Sequence, residues 1–284
     1  MTRNTVKPQP TPLQPNQAIT RDLREWIASQ TAQGFDYATV FQAIVTAGWS
    51  HQTATEALSA SQPTAPLPVP WPALAASCLS LDAGDKQVSV ATVMRAPDLL
   101  VFENFLSEAE CLELIAAAAP RLMRSQTVSL ETGGEEVNAA RTSDGMFFTR
   151  AENAIVARIE ARIARLLDWP VENGEGLQVL RYRPGAEYKP HYDYFDARDA
   201  GTPLLLARGV QRVATLIIYL KEPEAGGATV FPDLDLQIAP KRGQAVFFSY
   251  PQALPSSLSL HGGDPVTGGE KWIATKWLRQ HEFI

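Results

Sequence analysis

Leu177-Gln-Val-Leu-Arg-Tyr-Arg-Pro-Gly-Ala-Glu-Tyr-Lys-Pro-His-Tyr-Asp193 begins as a β-rich run, breaks at Pro184 and Gly185, and ends on a His-x-Asp triplet. Further short β-rich runs follow it, broken by Gly and Pro: Val213 to Leu220, Thr229 to Phe231, Leu236 to Ile238, Ala245 to Tyr250 and Trp272 to Leu278. Many short strands at such spacing predict a sandwich or barrel. Upstream the period changes. Ser107-Glu-Ala-Glu is a capping-box pattern that opens a helix, with Leu112 and Ile115 expected inward, and a second helix is predicted from about Glu152 to Leu167. Its stripe is Ile155, Val156, Ile159, Ile163, Leu166 and Leu167, so both helices are expected to buttress the sheet.

The amino-terminal part reads differently. Residues 1–18 carry Pro8, Pro10, Pro12 and Pro15 among polar residues and are read as a flexible tail. Residues 19–60 hold three short helical patterns, with capping Asp36 and Ser50 and with Gly34 and Gly48 as stops. Residues 61–73 contain Pro63, Pro66, Pro68, Pro70 and Pro72 and suit a semi-stiff spacer. Residues 74–97 are read as a connecting segment, and the main domain as 98–284. The expected class is α+β: a β-rich core with buttressing helices, plus a small N-terminal three-helix module.

The 284 residues are 45% hydrophobic and 20% charged, ample for a large core, which rules out disorder throughout. No run of about 18 apolar residues occurs, and the first ten residues lack the apolar centre of a secretory signal, so a cytoplasmic protein without membrane attachment is expected. Cys78 and Cys111 lie far apart with no C-x-x-C pattern, which leaves any metal to nitrogen and oxygen ligands. The net charge of −6 argues against nucleic-acid binding driven by global charge.

Two of the four histidines stand in informative places, His191 in His191-Tyr-Asp193 and His261 just before the last β-rich run. Residues i and i+2 of an extended segment share a face, so His191 and Asp193 can hold one ion together, with His261 arriving from a neighbouring strand. Two imidazoles and a carboxylate leave three positions of an octahedral iron open, the facial arrangement of non-haem Fe(II) oxygenases. Lys271, ten residues after His261, offers a cation for the far end of a dicarboxylic cosubstrate. Tyr182 can donate its phenol to the same carboxylate. Lys276, an odd number of positions on, is expected to face the other way as a solvated charge.

Three stretches in order resemble the prolyl 4-hydroxylase family of 2-oxoglutarate- and Fe(II)-dependent dioxygenases: residues 175–193, Gly226-Gly-Ala-Thr-Val-Phe-Pro232, and His261-Gly-Gly-Asp-Pro-Val-Thr-Gly-Gly-Glu-Lys-Trp272. The resemblance runs from about Asp98 to the last residue. It implies a double-stranded β-helix (jelly-roll) core, with His191, Asp193 and His261 as iron ligands, Lys271 and Tyr182 on 2-oxoglutarate, and Thr215 lining the cosubstrate pocket. It places peptide contacts on Arg141 and Ser143 of an Arg-x-Ser loop, on Glu175, on Tyr188 and on Trp277. Ascorbate enters as a reductant. Ala228, Gln244, Gly262 and Asp264 depart from residues frequent at those positions, which bears on substrate preference and not on the metal.

The implied reaction is hydroxylation of a peptidyl proline with release of succinate and CO2. Relatives that halogenate lack a carboxylate at the position of Asp193. The polar stretch Gly133-Gly-Glu-Glu-Val-Asn and the Arg141 loop suit a lid over a peptide. The N-terminal module resembles small ubiquitin-associated-type bundles, with Trp49 expected in its core, and suits client binding. Two alternatives use the same residues: a His/His/Asp zinc hydrolase, which has no need of Lys271, and a peptide-binding module of the same fold without catalysis.

Overall fold

In the computed structural model, residues 19–32, 35, 37–61, 68–74, 79–125, 127–128, 134–136, 140–196 and 199–284 are described. The expected tail at 1–18, the cap at Asp36, the stop at Gly34, Pro63, Pro66, Cys78 and, of the stretch from Gly133 to Asn138, Gly133, Val137 and Asn138 lie outside them. The chain divides into two compact units, residues 1–65 and 66–284.

The first unit holds α1 (Arg21–Ala32), α2 (Tyr37–Thr46) and α3 (His51–Ser61). Thr20 and Ser50 cap α1 and α3: their hydroxyls accept from Leu23 N at 3.2 Å and Thr53 N at 3.0 Å. Leu23, Ile27, Val40, Ile44, Trp49, Ala54, Ala57 and Leu58 are buried together, so Trp49 belongs to this small core.

The second unit is built on antiparallel strands. Its first strands are β1 (Ser80–Asp82), β2 (Gln87–Arg95), β3 (Asp98–Glu103), β4 (Met123–Arg124), β5 (Thr127–Val128), β6 (Glu135–Glu136), β7 (Asp144–Phe148), β8 (Leu177–Tyr182) and β9 (Tyr188–His191). Then follow β10 (Arg212–Lys221), β11 (Ala225–Gly226), β12 (Thr229–Phe231), β13 (Leu236–Ile238), β14 (Ala245–Ser249), β15 (His261–Gly263), β16 (Val266–Gly268) and β17 (Lys271–Arg279). Nine strands form one sheet in the order β1-β2-β3-β14-β10-β17-β8-β7-β4, and four form a second in the order β13-β12-β15-β9. With the helices this is an α+β jelly roll.

The period-two alternation of the central strands sorts side chains onto two faces. Leu100 and Phe102 of β3, Leu216 and Ile218 of β10, and Trp272, Ala274 and Leu278 of β17 join one core with α4 (Glu108–Ala118) and α5 (Ala154–Leu167). Leu99, Val101, Leu180, Tyr182, Ile217, Tyr219, Phe248 and Ile273 point the other way, into a second core that includes Phe231 of the small sheet. Each such side chain contributes about 1.5–3 kcal/mol on burial.

The capping box of α4 is present, with Glu110 N donating to Ser107 Oγ and Ser107 N to Glu110 Oε2. Its inward residues differ from the expectation: Cys111, Leu114 and Ala118 are buried, whereas Leu112 is 53% exposed. The stripe runs from Cys111 by three and four, and Leu112 lies one step, about 100°, off it. Asn153 caps α5, accepting from Val156 N at 3.0 Å. Two further expectations are corrected. The expected connector at 74–97 contains two strands, β2 paired with β3 and β1 paired with β2, so both extend the main sheet. The end of the proline-rich spacer also packs: Pro70 and Pro72 are buried, and Trp71 lies 6.1 Å from the Phe247 ring and under the Arg95 guanidinium at 4.4 Å.

Candidate active site

The small sheet delivers two imidazoles by register: β9 and β15 pair with His191 opposite His261, their rings 4.4 Å apart. Asp193 completes the group, with Oδ1 3.5 Å from His191 Nε2 and Oδ2 3.4 Å from His261 Nε2. One ligand atom from each of the three lies within 4.8 Å of the others. The strand itself stops at His191, so Asp193 reaches this position from a bend held by other groups. Thr215 of β10 donates its hydroxyl to Asp193 Oδ2 at 2.6 Å and shares a second bond with Tyr250 Oη at 2.9 Å. Arg212 Nη1 donates to the Asp193 carbonyl at 3.3 Å.

Both rings are oriented from behind. His191 Nδ1 lies 3.0 Å from the Lys189 carbonyl and His261 Nδ1 2.9 Å from that of Ser259, which turns each Nε2 toward Asp193. Burial pushes His261 down to about 4, against the attraction of Asp193, so its imidazole is neutral near pH 7. Burial also works against ionisation of Asp193, but the neighbouring imidazoles and Arg212 outweigh it and hold that carboxyl well below the usual range. A neutral imidazole beside an ionised carboxylate is the donor form a divalent metal requires.

Inward from this group the pocket is lined by Leu180, Ile217 and Ile273 and reaches Tyr182, Thr229 and Lys271. Lys271 is 2% exposed; its ammonium donates to the Gly227 carbonyl at 2.7 Å and lies 5.3 Å from the Tyr182 ring centroid. Among the described residues it has no carboxylate within ion-pair distance. Burial lowers it to about 8, with Asp264 opposing from a distance. Gly227, at φ +71°, makes room here, since a Cβ would stand 3.2 Å from Lys271 Cδ. Such a buried, unmatched cation is costly unless an anion is to be bound.

The mouth is aromatic. Tyr188 stacks on His191 with centroids 3.7 Å apart, and the Arg141 guanidinium lies 4.9 Å above the Tyr188 ring. Arg141 also donates to Gln178 Oε1 at 2.8 Å. Trp277 lines the same opening, and its buried indole N–H has no hydrogen-bond partner among the described residues.

Thus His191, Asp193, His261, Lys271, Tyr182, Arg141, Tyr188 and Trp277 all border one pocket. Three other residues singled out from sequence stand behind it. Thr215 binds Asp193 in place of lining the cosubstrate end. Ser143 is fully buried and donates to Ser125 Oγ at 2.9 Å. Glu175 is held by Arg212 Nε at 2.6 Å, Arg212 Nη2 at 2.8 Å and Arg279 Nε at 2.7 Å, and it does not line the pocket. Lys276 is no solvated charge: it is 2% exposed and donates to Glu160 Oε1 of α5 at 2.5 Å. Strand alternation gives its direction correctly, but it cannot show that a helix covers that face. Thr229 was missed; it lines the pocket while accepting from Tyr219 Oη at 2.7 Å, and only its place in the Gly226–Pro232 motif hinted at it.

The 2OG-Fe(II) oxygenase superfamily profile matches residues 177–279. Prolyl 4-hydroxylase 5 of Arabidopsis thaliana is 39% identical over 223 residues, covering 71% of this chain and 75% of the relative. The chain belongs to the prolyl 4-hydroxylase family of 2-oxoglutarate- and Fe(II)-dependent oxygenases. Prolyl 4-hydroxylase 1 of the same plant is 42% identical over 211 residues, covering 68% of this chain and 72% of that one. In three dimensions the chain is similar to a viral collagen prolyl hydroxylase from Paramecium bursaria Chlorella virus-1, crystallised with 2-oxoglutarate: TM-score 0.50, 34% identity, 64% of this chain and 95% of that one. The protein is therefore a dioxygenase that uses Fe(II) and 2-oxoglutarate, and the zinc-hydrolase alternative falls with that assignment. No helix among the described residues is long and apolar enough to cross a membrane.

Proposed function

We propose that this prolyl 4-hydroxylase relative hydroxylates a proline within a peptide, with Fe(II) held by His191, Asp193 and His261 and 2-oxoglutarate anchored by Lys271. The observation that carries the reading is the buried ammonium of Lys271, unmatched by any described carboxylate, at the inner end of a pocket whose outer end holds two imidazoles and a carboxylate. When bound, iron and 2-oxoglutarate supply the oxidising power: O2 is divided between succinate, formed with loss of CO2, and the hydroxyl left on the substrate.

The chain's own residues do the positioning. Lys271 binds the distal carboxylate with a charge-assisted bond, and the hydroxyls of Tyr182 and Thr229 stand beside it to share the load. Tyr219 occupies one lone pair of Thr229, which leaves the Thr229 proton free to point into the pocket. Leu180, Ile217 and Ile273 exclude water along the shaft between the two ends. Thr215 fixes the Asp193 carboxylate so that it need not reorganise on metal binding. At the mouth, Tyr188 and Trp277 offer flat apolar walls to a proline ring, and Arg141 with the Trp277 N–H offers donors to peptide carbonyls.

The N-terminal three-helix unit is read as a client-binding module, on the strength of its separate core and the proline-rich stretch that follows it. The direct test incubates the Fe(II)-loaded protein with 2-oxoglutarate and a panel of proline-containing peptides. A gain of one oxygen on proline with matching succinate is expected, and His191→Ala should abolish both. Succinate release with no oxygen on any peptide would end the peptidyl-proline reading. Removing residues 1–67, which spares the packed Pro70 to Pro72, should slow a whole-protein client far more than a short peptide; equal losses would end the delivery role.

A further inference from the structure

Asp193 begins an excursion whose described residues, 194–196 and 199–211, carry α6 (Thr202–Leu206) and lead back to the main sheet at Arg212. The two ends of this excursion are tied together. Phe195 N donates to Gln211 Oε1 and Gln211 Nε2 to the Phe195 carbonyl, each at 2.8 Å. The far side is strained: Val210, a β-branched residue, sits at φ +60°, which persists only where the surroundings enforce it.

Two neighbours enforce it. Arg279 Nη1 donates to the carbonyls of Val210 and Leu205, while its Nε is fixed by Glu175. Residues 280–284 then run beside the excursion, with Gln280 N donating to Gln211 O at 2.9 Å, His281 N to Gly209 O at 3.2 Å and Ile284 N to Arg208 O at 3.2 Å. Phe283 is the pin of this strap. Its ring faces the guanidinium of Arg208 at 4.6 Å and of Arg279 at 5.3 Å, and its backbone is held by the Glu172 carbonyl at 2.9 Å and by Arg150 Nη2 at 2.7 Å. From Arg279 the contacts continue inward: Glu175 binds both arginines, and Arg212 lies 4.1 Å from the Trp277 ring centroid and bonds the Asp193 carbonyl.

We propose that Phe283 and Arg279 are positioning residues, a latch on the excursion after Asp193 that keeps the Asp193 bend and the Trp277 wall in one fixed relation. This rests on the reading of Asp193 as an iron ligand and Trp277 as a substrate wall. Lys271 lies at the other end of β17, with Tyr182 opposite it on β8 and Thr229 on β12, and these residues make no bond to the latch. Releasing it therefore loosens the alignment of peptide with iron while 2-oxoglutarate binding is spared.

The test uses the full chain with Fe(II), 2-oxoglutarate and a peptide turned over by the wild type. Phe283→Ala is expected to raise the peptide KM about tenfold and the succinate-to-hydroxyproline ratio several-fold, with the 2-oxoglutarate KM unchanged; Phe283→Trp, which keeps a face for both guanidiniums, should restore both. Independently of iron, amide exchange over residues 199–211 should quicken at least tenfold in Phe283→Ala, with α5 unaffected. If Phe283→Ala does not fold, Arg279→Lys, which keeps the charge and loses the planar fork, takes its place. An unchanged ratio, peptide KM and exchange would overturn the latch, as would a fall in kcat alone. A wild type that hydroxylates no peptide while the exchange result stands would strike the proposed reaction and leave the mechanical coupling in place.

Discussion

Lys271 and Lys276 lie five residues apart on β17, and each is 2% exposed. One points into the pocket and meets a carbonyl; the other points into the helix-covered core and meets Glu160, which also accepts from Ala151 N at 2.8 Å. Burying an ammonium costs several kcal/mol in either place. On the helical side the chain supplies the counter-charge itself, so that lysine is structural. On the pocket side no described carboxylate supplies it; on the proposed reading the cosubstrate does, so the cost carried by the free protein is recovered on binding. Equal burial on one strand thus has opposite meanings, and the presence or absence of a partner tells them apart.

The sharpest way to break this contrast is to replace each lysine by methionine. Lys271→Met should raise the KM for 2-oxoglutarate about 100-fold, the loss of a charge-assisted bond of about 3 kcal/mol, while raising stability in denaturant titrations by roughly 2 kcal/mol as the unmatched charge goes. Lys276→Met should do the reverse, costing about 3–5 kcal/mol of stability because Glu160 is left buried and uncompensated, with the KM for 2-oxoglutarate near wild type. Should the two variants lose stability alike, the contrast is mistaken.

A smaller effect sharpens the same point. The pocket-side ammonium falls to about 8 on burial, below the ordinary 10.5 of lysine, so the folded protein holds that proton less tightly than the unfolded chain. Its burial therefore costs stability below pH 8, and that cost disappears as pH rises from about 8 to 10.5. Cosubstrate binding has the opposite sign: above pH 8 the free amine must be reprotonated, and the apparent affinity for 2-oxoglutarate should fall by up to tenfold per pH unit. A flat profile of 2-oxoglutarate KM between pH 7 and 9.5 would count against Lys271 as the anchor. Smaller again, Thr215→Val should weaken metal binding about tenfold, read by competition with a chelator, with the 2-oxoglutarate KM little changed. If the KM moves and the metal affinity does not, Thr215 lines the cosubstrate after all.

The same two faces show what could be read from the chain beforehand. Strand positions and directions follow from alternation, so the runs at 177–182, 229–231 and 236–238 match β8, β12 and β13 at both ends. The meeting of His191, Asp193 and His261, and the place of Lys271 in the same pocket, were legible because few residue types suit such roles and their spacing suits a strand. What stood opposite a side chain was not legible. Glu160, the partner of Lys276, is 116 positions away, and Arg212 and Arg279 lie 37 and 104 positions from Glu175. Glu175 alone reads as a free carboxylate, and Thr215 as a pocket hydroxyl, until those partners are in view. The short strands β1, β9 and β15 have too few alternating residues for the period to register. The first turn of α4 announced itself by its capping box, yet its inward face had to be corrected by one residue.

The pairing of β9 with β15 brings one more consequence. Because His191 stands directly across from His261, and because side chains alternate along a strand, sliding either strand by a single residue would send one imidazole to the opposite side of the small sheet. The three candidate ligands converge in only one alignment of those two short segments. On the proposed ligand set, an ion that fits only this alignment would favour chains whose ladder has closed in the correct step, the same arrangement that the proposed chemistry needs.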